Sequence, residues 1–253
     1  MGPLQTSLLG AFLTTSSLWP VAADPPPPPR LPGGCLQAIV VSALGWESPS
    51  AILQRWEREE PDAPWRPFGP PWPVALGKRG LAWGRGLHEL PNGFLAKTEG
   101  DGKSPAGLFW LGPAFGSAEA APRGLRMPWR QGTESDFFVD DPTSPDYNRW
   151  VRLAPGEPAS WKSAERMRRE DSLYAFGLVV QHNMHPVLPG AGSAIFLHVW
   201  RGPDSATAGC TAMARTDLLT LLSWLDPAKA PVLVQAPVDD WPKLRLSLEP
   251  PNP

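Results

Sequence analysis

Apolar residues along the chain fall mainly into short runs bounded by Gly, Pro, Asn and Asp, the pattern of strands separated by turns. LQAIVVSAL, beginning at Leu36, predicts a strand, and PVALGK, beginning at Pro73, another. FFVD, FGLVVQHN and SAIFLHV are β-branched and aromatic runs of the same kind, PVLVQA adds one more, and KLRLSLE alternates Leu244, Leu246 and Leu248 onto one face. Two stretches read as helical. SPSAILQRWERE predicts a short helix with Ser50 as cap, and MARTDLLTLLSWLDP the clearest one, with Leu218, Leu219, Leu222 and Leu225 on one face, Thr216 at its start and Pro227 as its stop. Residues 80–135 are so crowded with Gly, Pro and Trp that no regular element is assigned to them. The expectation is a mostly β fold with a few short helices and long Gly/Pro-rich loops, without internal repeats.

Composition narrows this picture. With 253 residues the chain is long enough for one well-buried domain, or two small ones at most, and 34 Pro with 24 Gly disfavour a helical bundle. A net charge of −2 offers no cationic field for a polyphosphate backbone, and no basic stripe is interleaved with aromatics, so nucleic acid is not an expected partner.

The N-terminus reads as an export signal over residues 1–23. Leu8 to Leu13 form a short apolar core, and Val21-Ala22-Ala23 offers the small residues of a cleavage site before Asp24. MGPLQT carries no Lys or Arg, so either the signal is atypical or the start lies upstream. The apolar core is too short for a bilayer span, which points to a periplasmic or secreted protein without an integral membrane segment. Cys35 lies too far beyond that core for a lipoprotein signal. Residues 24–34, DPPPPPRLPGG, read as a polyproline linker, so the folded domain is expected over 35–236, with a strand or tail over 237–253.

The candidate chemistry sits in GSAIFLHVWRGPDSATAGCTAM. His198 closes an apolar strand, and Cys210 follows an Ala-Gly turn and precedes the predicted helix, whose N-terminus would lower the thiol pKa. A thiol with an imidazole to take its proton is the minimum for cysteine acyl transfer. A buried, inert Cys is the usual alternative. His182 and His185, in HNMH, are expected as loop residues, with His185 at best near the cleft, because positions three apart on a strand do not share a face. A zinc site built from them with His198 and Cys210 is the competing idea. The 13 Trp suggest sugar-stacking surfaces but fit core and turn packing better, and ERMRR from Glu165 fits an exposed helix face as well as a surface for anionic wall polymer.

Thr207-Ala208-Gly209-Cys210 after His198 resembles the active-site motif of the L,D-transpeptidase catalytic-domain family: a His, a loop, then Ser or Thr, His, Gly and Cys. LAWGRGL, EGDGKSPAG, FWLGPAFG, VDDPTSPDYN, WKSAERM and PGAGSAIFLH extend the similarity from Cys35 to Gln235. The resemblance implies a β-sandwich-like domain, no metal or organic cofactor, and peptidoglycan stem peptides as substrates. It implies a reaction as well: the Cys210 thiolate attacks the carbonyl of a diamino acid, D-Ala leaves, and an amine on another stem takes the acyl group. His198 would be the base, and Gly209 with the Cys210 amide part of the oxyanion site beside Thr207. Ala208 replaces the motif's second His and Ala212 a frequent Arg, so carboxylate recognition would pass to another residue such as Arg201. Asp140, Asp141, Tyr147 and Asn148 are expected to build loops rather than catalyse. Water in place of the amine would make a carboxypeptidase or cross-link hydrolase. A non-catalytic wall-binding module and a zinc peptidase are the other classes left open.

Overall fold

The computed structural model describes residues 28, 30–91 and 93–244. The export signal at 1–23, residues 24–27 and 29 of the expected linker, and Leu246 and Leu248 of the alternating C-terminal run lie outside the described residues. Strands β1 (Gln37–Ala43), β2 (Ser50–Glu57), β3 (Arg66–Pro67), β4 (Trp72–Ala75) and β5 (Leu81–Trp83) precede the longest, β6 (Ser104–Gly116). Then come β7 (Trp129–Gln131), β8 (Asp136–Val139), β9 (Trp150–Arg152), β10 (Ala164–Arg166), β11 (Gly177–Val180), β12 (Phe196–Val199) and β13 (Thr211–Met213). Helix α1 (Arg215–Trp224) and β14 (Val232–Pro237) complete the domain.

The mostly β expectation holds, and the pairings add that the main sheet closes. Its order runs β1-β14-β6-β11-β12-β13-β4-β2, and β2 pairs back onto β1, so the path forms a ring. Closure leaves these strands no free edge to template aggregation. Side-chain alternation then separates two apolar compartments. Leu178, Val180, Leu197, Val199 and Met213 point into the main core with residues of β1, β6 and β14. Val179, Phe196 and Cys210 point the other way, into a second cluster with Phe138, Met167, Leu173 and Tyr174. A three-stranded sheet, β10-β8-β9, supplies part of that outer layer. The site therefore lies between two β layers.

Three expectations need correction. Ser50 opens strand β2 rather than a helix, because the segment pairs with β1 along its length and with β4 on its other side, and that pairing overrides local helix propensity. The Gly/Pro-rich stretch at 80–135 contains the longest strand. A register shift between Leu178 and Val180 sets Leu178 opposite Ala114 and Val180 opposite Leu111, which absorbs Gly112 and Pro113 as a bulge. The helix does form over Arg215–Trp224, but Ala214 precedes it without a side-chain cap, and Leu221 replaces Leu219 in its fully buried set. Beyond β14 a 3-10 segment spans Val238–Lys243, and Leu31, in the expected linker, packs into the main core.

Three histidines are buried as neutral rings. Burial pulls His88 and His198 down to about 4, and burial with the nearby Lys97 charge pulls His182 down to about 3. All three titrate near 6.5 when unfolded, so their contribution to stability is full above about pH 6.5 and is lost as pH falls toward 4. Asp136 does not enter this window. Although burial raises it, bonds from Arg152, Thr133 and Trp150 hold its carboxyl well below the usual range. The thermal midpoint is expected to fall by several degrees or more between pH 7.5 and 4.5. A flat calorimetric profile over that interval would contradict the neutral-ring assignment.

Candidate functional site

β12 and β13 run parallel, with Leu197 opposite Thr211, His198 opposite Ala212 and Val199 opposite Met213. Paired residues share a face and alternate residues return to it. His198, Ala212 and Cys210 consequently lie on the same side of two adjacent strands, and the methyl of Ala212 leaves the space beside the imidazole open. The turn from Thr207 to Gly209 is tied to the end of β4: Thr207 N donates to Leu76 O (2.8 Å) and Lys78 N to Thr207 O (2.9 Å). Two hydroxyls fix the cysteine backbone. Thr207 Oγ1 donates to the Cys210 carbonyl at 2.7 Å and Ser104 Oγ donates to it at 2.9 Å, while Ser104 Oγ accepts from Gly77 N at 2.9 Å. Gly77 is required for this approach, since a Cβ there would stand 2.5 Å from Gly102 O.

The thiol itself lies in a polar notch. Cys210 Sγ donates to Ala194 O and receives the Phe196 N–H, each at 3.4 Å. Ala194 adopts a positive φ of 52°, an unfavourable conformation for a residue with a Cβ, and its N–H donates to Asn148 Oδ1 at 3.2 Å. Asn148 in turn donates to the carbonyls of His182 (3.0 Å) and Asn183 (2.8 Å). The VDDPTSPDYN segment thus acts on the site at one remove, holding the strained alanine whose carbonyl meets the thiol. On the other ring, His198 Nδ1 lies 2.7 Å from Val199 O. A carbonyl only accepts, so Nδ1 carries the proton and Nε2 keeps its lone pair.

Electrostatics differ from the expectation of a helix-activated thiol. Cys210 precedes strand β13, and α1 begins only at Arg215, so no helix N-terminus faces the sulfur. Burial pushes the Cys210 thiol up to about 12 and pulls His198 down to about 4. The resting pair is neutral thiol and neutral imidazole, not thiolate and imidazolium. Gly209 N–H donates to Thr207 Oγ1 at 3.1 Å.

The cleft encloses about 380 Å³ and is lined by Cys210, His198, Gly209, Thr207 and Arg201 together with Lys97, Glu99, Asp140, Glu165, Arg169, Tyr174 and Trp200. Lys97 is buried, bonded to Asp101 Oδ1 (2.7 Å) and Lys103 O (2.8 Å), and its ammonium stands 3.5 Å from where a Gly209 Cβ would be. This places a cation beside the motif at which Ala208 leaves no imidazole. Arg201 reaches the cleft wall but pairs with Asp171 Oδ2 at 3.3 Å. Arg169 grips the same carboxylate with two bonds, at 2.8 and 2.9 Å. Glu165 and Arg169, for which the sequence leaves an exposed helix face and a surface for anionic polymer equally open, lie instead within strand β10 and shortly after it, and both line the site.

The zinc arrangement is not assembled. His182 accepts from Arg85 N and donates to Ala191 O, and His185 lines a different cavity with Arg85 and His88. Among the described residues no group of three or more His, Cys, Asp or Glu is placed to hold a metal ion. Cys35 and Cys210 are both free and buried. No described helix is long and apolar enough to cross a membrane.

Sequence reasoning missed Lys97, Ser104, Glu165, Arg169 and Tyr174 as site residues. They fall in two segments far apart in sequence, FLAKTEGDGKSP and the continuous stretch SAERMRREDSLY, which only the tertiary fold brings to one cleft. What fold and cleft define is a mostly β protein with a Cys and a His on one face of adjacent strands. A family model described as the L,D-transpeptidase catalytic domain, YkuD, matches residues 70–234, and the chain belongs to this family, which acts on peptidoglycan. No curated protein and no solved structure matches the chain.

A thiol pushed up to about 12 responds to pH in a recognisable way. Alkylation of Cys210, followed by peptide mass so that Cys35 is counted separately, is expected to be slow at pH 7.5 and to rise roughly tenfold per pH unit through pH 10. A plateau near pH 7 would reveal a resting thiolate instead.

Proposed function

We propose that this chain is an exported cysteine acyltransferase acting on peptidoglycan stem peptides, with Cys210 as nucleophile and His198 as base. The observation that carries this reading is the β12–β13 register, with the His198 proton fixed on Nδ1. The free Nε2 takes the thiol proton as sulfur attacks the carbonyl of the diamino acid, so charge develops only when substrate fills the cleft. The tetrahedral intermediate collapses when His198 returns that proton to the departing D-Ala nitrogen, leaving a thioester on Cys210. With the Gly209 amide engaged by Thr207, oxyanion stabilisation is assigned to the Cys210 amide and to the positive field of Lys97. Thr207 and Ser104 position the nucleophile through its carbonyl.

An amine completes cross-linking and water gives a carboxypeptidase or hydrolase; both proceed from the same thioester. Periplasmic or secreted location belongs to this proposal and rests on the 1–23 segment.

Incubation with disaccharide-tetrapeptide fragments is expected to add the acyl mass to Cys210, with release of D-Ala. Cys210→Ala should abolish the adduct with an unchanged circular dichroism spectrum. His198→Ala should slow acylation by about a hundredfold or more, while a chelator leaves it unaltered. An adduct mapped elsewhere, or activity that zinc restores after chelation, would overturn the assignment.

A further inference from the structure

The cleft that holds Cys210 does not end at the cysteine. Asp140, Glu165 and Arg169 line it and also line a second, more open groove over β10 and the segment up to Asp171. Acyl transfer brings two substrates to one carbonyl: the donor, whose leaving group departs, and the acceptor. A branched cleft with a shared wall allows both to be present.

Of the shared carboxylates, Glu165 is the one connected to the reacting side chains through Tyr174. Its Oε2 lies 3.4 Å from the Tyr174 hydroxyl and 3.4 Å from an Arg169 nitrogen, both long contacts that leave acceptor capacity. Tyr174 packs edge-on against the His198 ring, with centroids 5.4 Å apart, and belongs to the same apolar cluster as Cys210. Another carboxylate of the cleft, Glu99, is already engaged by the hydroxyls of Tyr147 and Ser193. Arg169 directs its paired bonds to Asp171 rather than to Glu165. Asp140 stands at the same junction and adds a second negative charge, which favours a cation there.

We propose that Glu165 is the base for the second half-reaction and that the acceptor is a primary amine entering along the groove shared by Asp140 and Glu165. This rests on the acyl-enzyme reading above. The ammonium gives one proton to the Glu165 carboxylate, and its nitrogen attacks the thioester carbonyl. The C–S bond breaks as the new C–N bond is retained, and the second nitrogen proton passes through His198 to the leaving sulfur, restoring the thiol. Glu165 then releases its proton to solvent. Burial, reinforced by Asp140, raises the Glu165 carboxyl above its ordinary range against the pull of Arg169, which improves its match to an amine proton.

Full-length protein is mixed with a donor tetrapeptide fragment and an amine-bearing acceptor peptide, and adduct and product are timed by mass. Glu165→Gln is expected to acylate at the wild-type rate but to accumulate the thioester, with cross-linked product reduced about a hundredfold; Glu165→Asp recovers part of it. Retained acylation also reports that the variant is folded. Wild-type turnover in Glu165→Gln, or acylation lost in step with product, overturns the base assignment while leaving the Cys210 thioester standing. A wild-type protein that takes no adduct overturns the acyl-enzyme reading and this one with it.

Discussion

The parallel pairing of β12 with β13 is the constraint on which the site depends. It is a short pairing, and its antiparallel neighbour β4 joins β13 through the single pair Ala212 with Ala75. Alone it would not hold a turn such as Thr207-Ala208-Gly209 in place. The hydroxyls of Thr207 and Ser104 compensate by meeting at the Cys210 carbonyl, and the Thr207 backbone bonds continue the β4 edge. Because register along a strand decides which face a side chain takes, a slip of one residue here would put the thiol into the main core and the imidazole opposite the wrong neighbour. The loop is therefore anchored without drawing on the functional groups, the thiol keeping only its long contacts to Ala194 O and Phe196 N and the imidazole its Nδ1 bond to Val199 O.

Burial then sets the electrostatic character of the pair. Both groups sit where charge is poorly solvated, and each is displaced toward its neutral form. That arrangement stores no thiolate. It protects the sulfur from adventitious oxidants, whose attack depends on thiolate character, and makes proton transfer part of the chemical step. Tyr174 fits the same logic: it covers the His198 ring edge-on, excludes water from one side, and turns its hydroxyl toward Glu165 at the rim. Polar groups line the rim and apolar ones the floor.

Much of this was legible in the sequence, and the failures have physical causes. The strands at 36–44 and 194–199 and the pairing of Cys210 with His198 were readable because apolar runs, turn residues and motif spacing are local. The Ser50 segment misled because its Leu, Gln, Arg and Glu favour a helix in isolation, and only long-range pairing with β1 and β4 makes it a strand. β6 was hidden because its Gly and Pro are tolerated at a bulge that no local pattern reveals. The thiol pKa was misjudged for a related reason. Three residues of strand and a turn separate Cys210 from the helix, and burial by the outer layer, contributed from Phe138, Met167 and Leu173, dominates its environment.

The two motif positions occupied by alanine follow from the same packing. Ala208 is exposed on the cleft side and Ala212 is fully buried opposite His198. A large cation at Ala212 would fill the part of the cleft beside the imidazole that the alanine methyl leaves open. The positive charge comes from elsewhere instead, in Lys97, whose side chain is 4% exposed and whose ammonium is satisfied by Asp101 and the Lys103 carbonyl. It stands beside the Gly-Cys turn, where a Cβ on residue 209 would be in ordinary contact with the ammonium at 3.5 Å and tight, at 3.0 Å, only against Lys103 O. The charge that a motif histidine or arginine would contribute locally is delivered from a segment more than a hundred residues earlier in the chain.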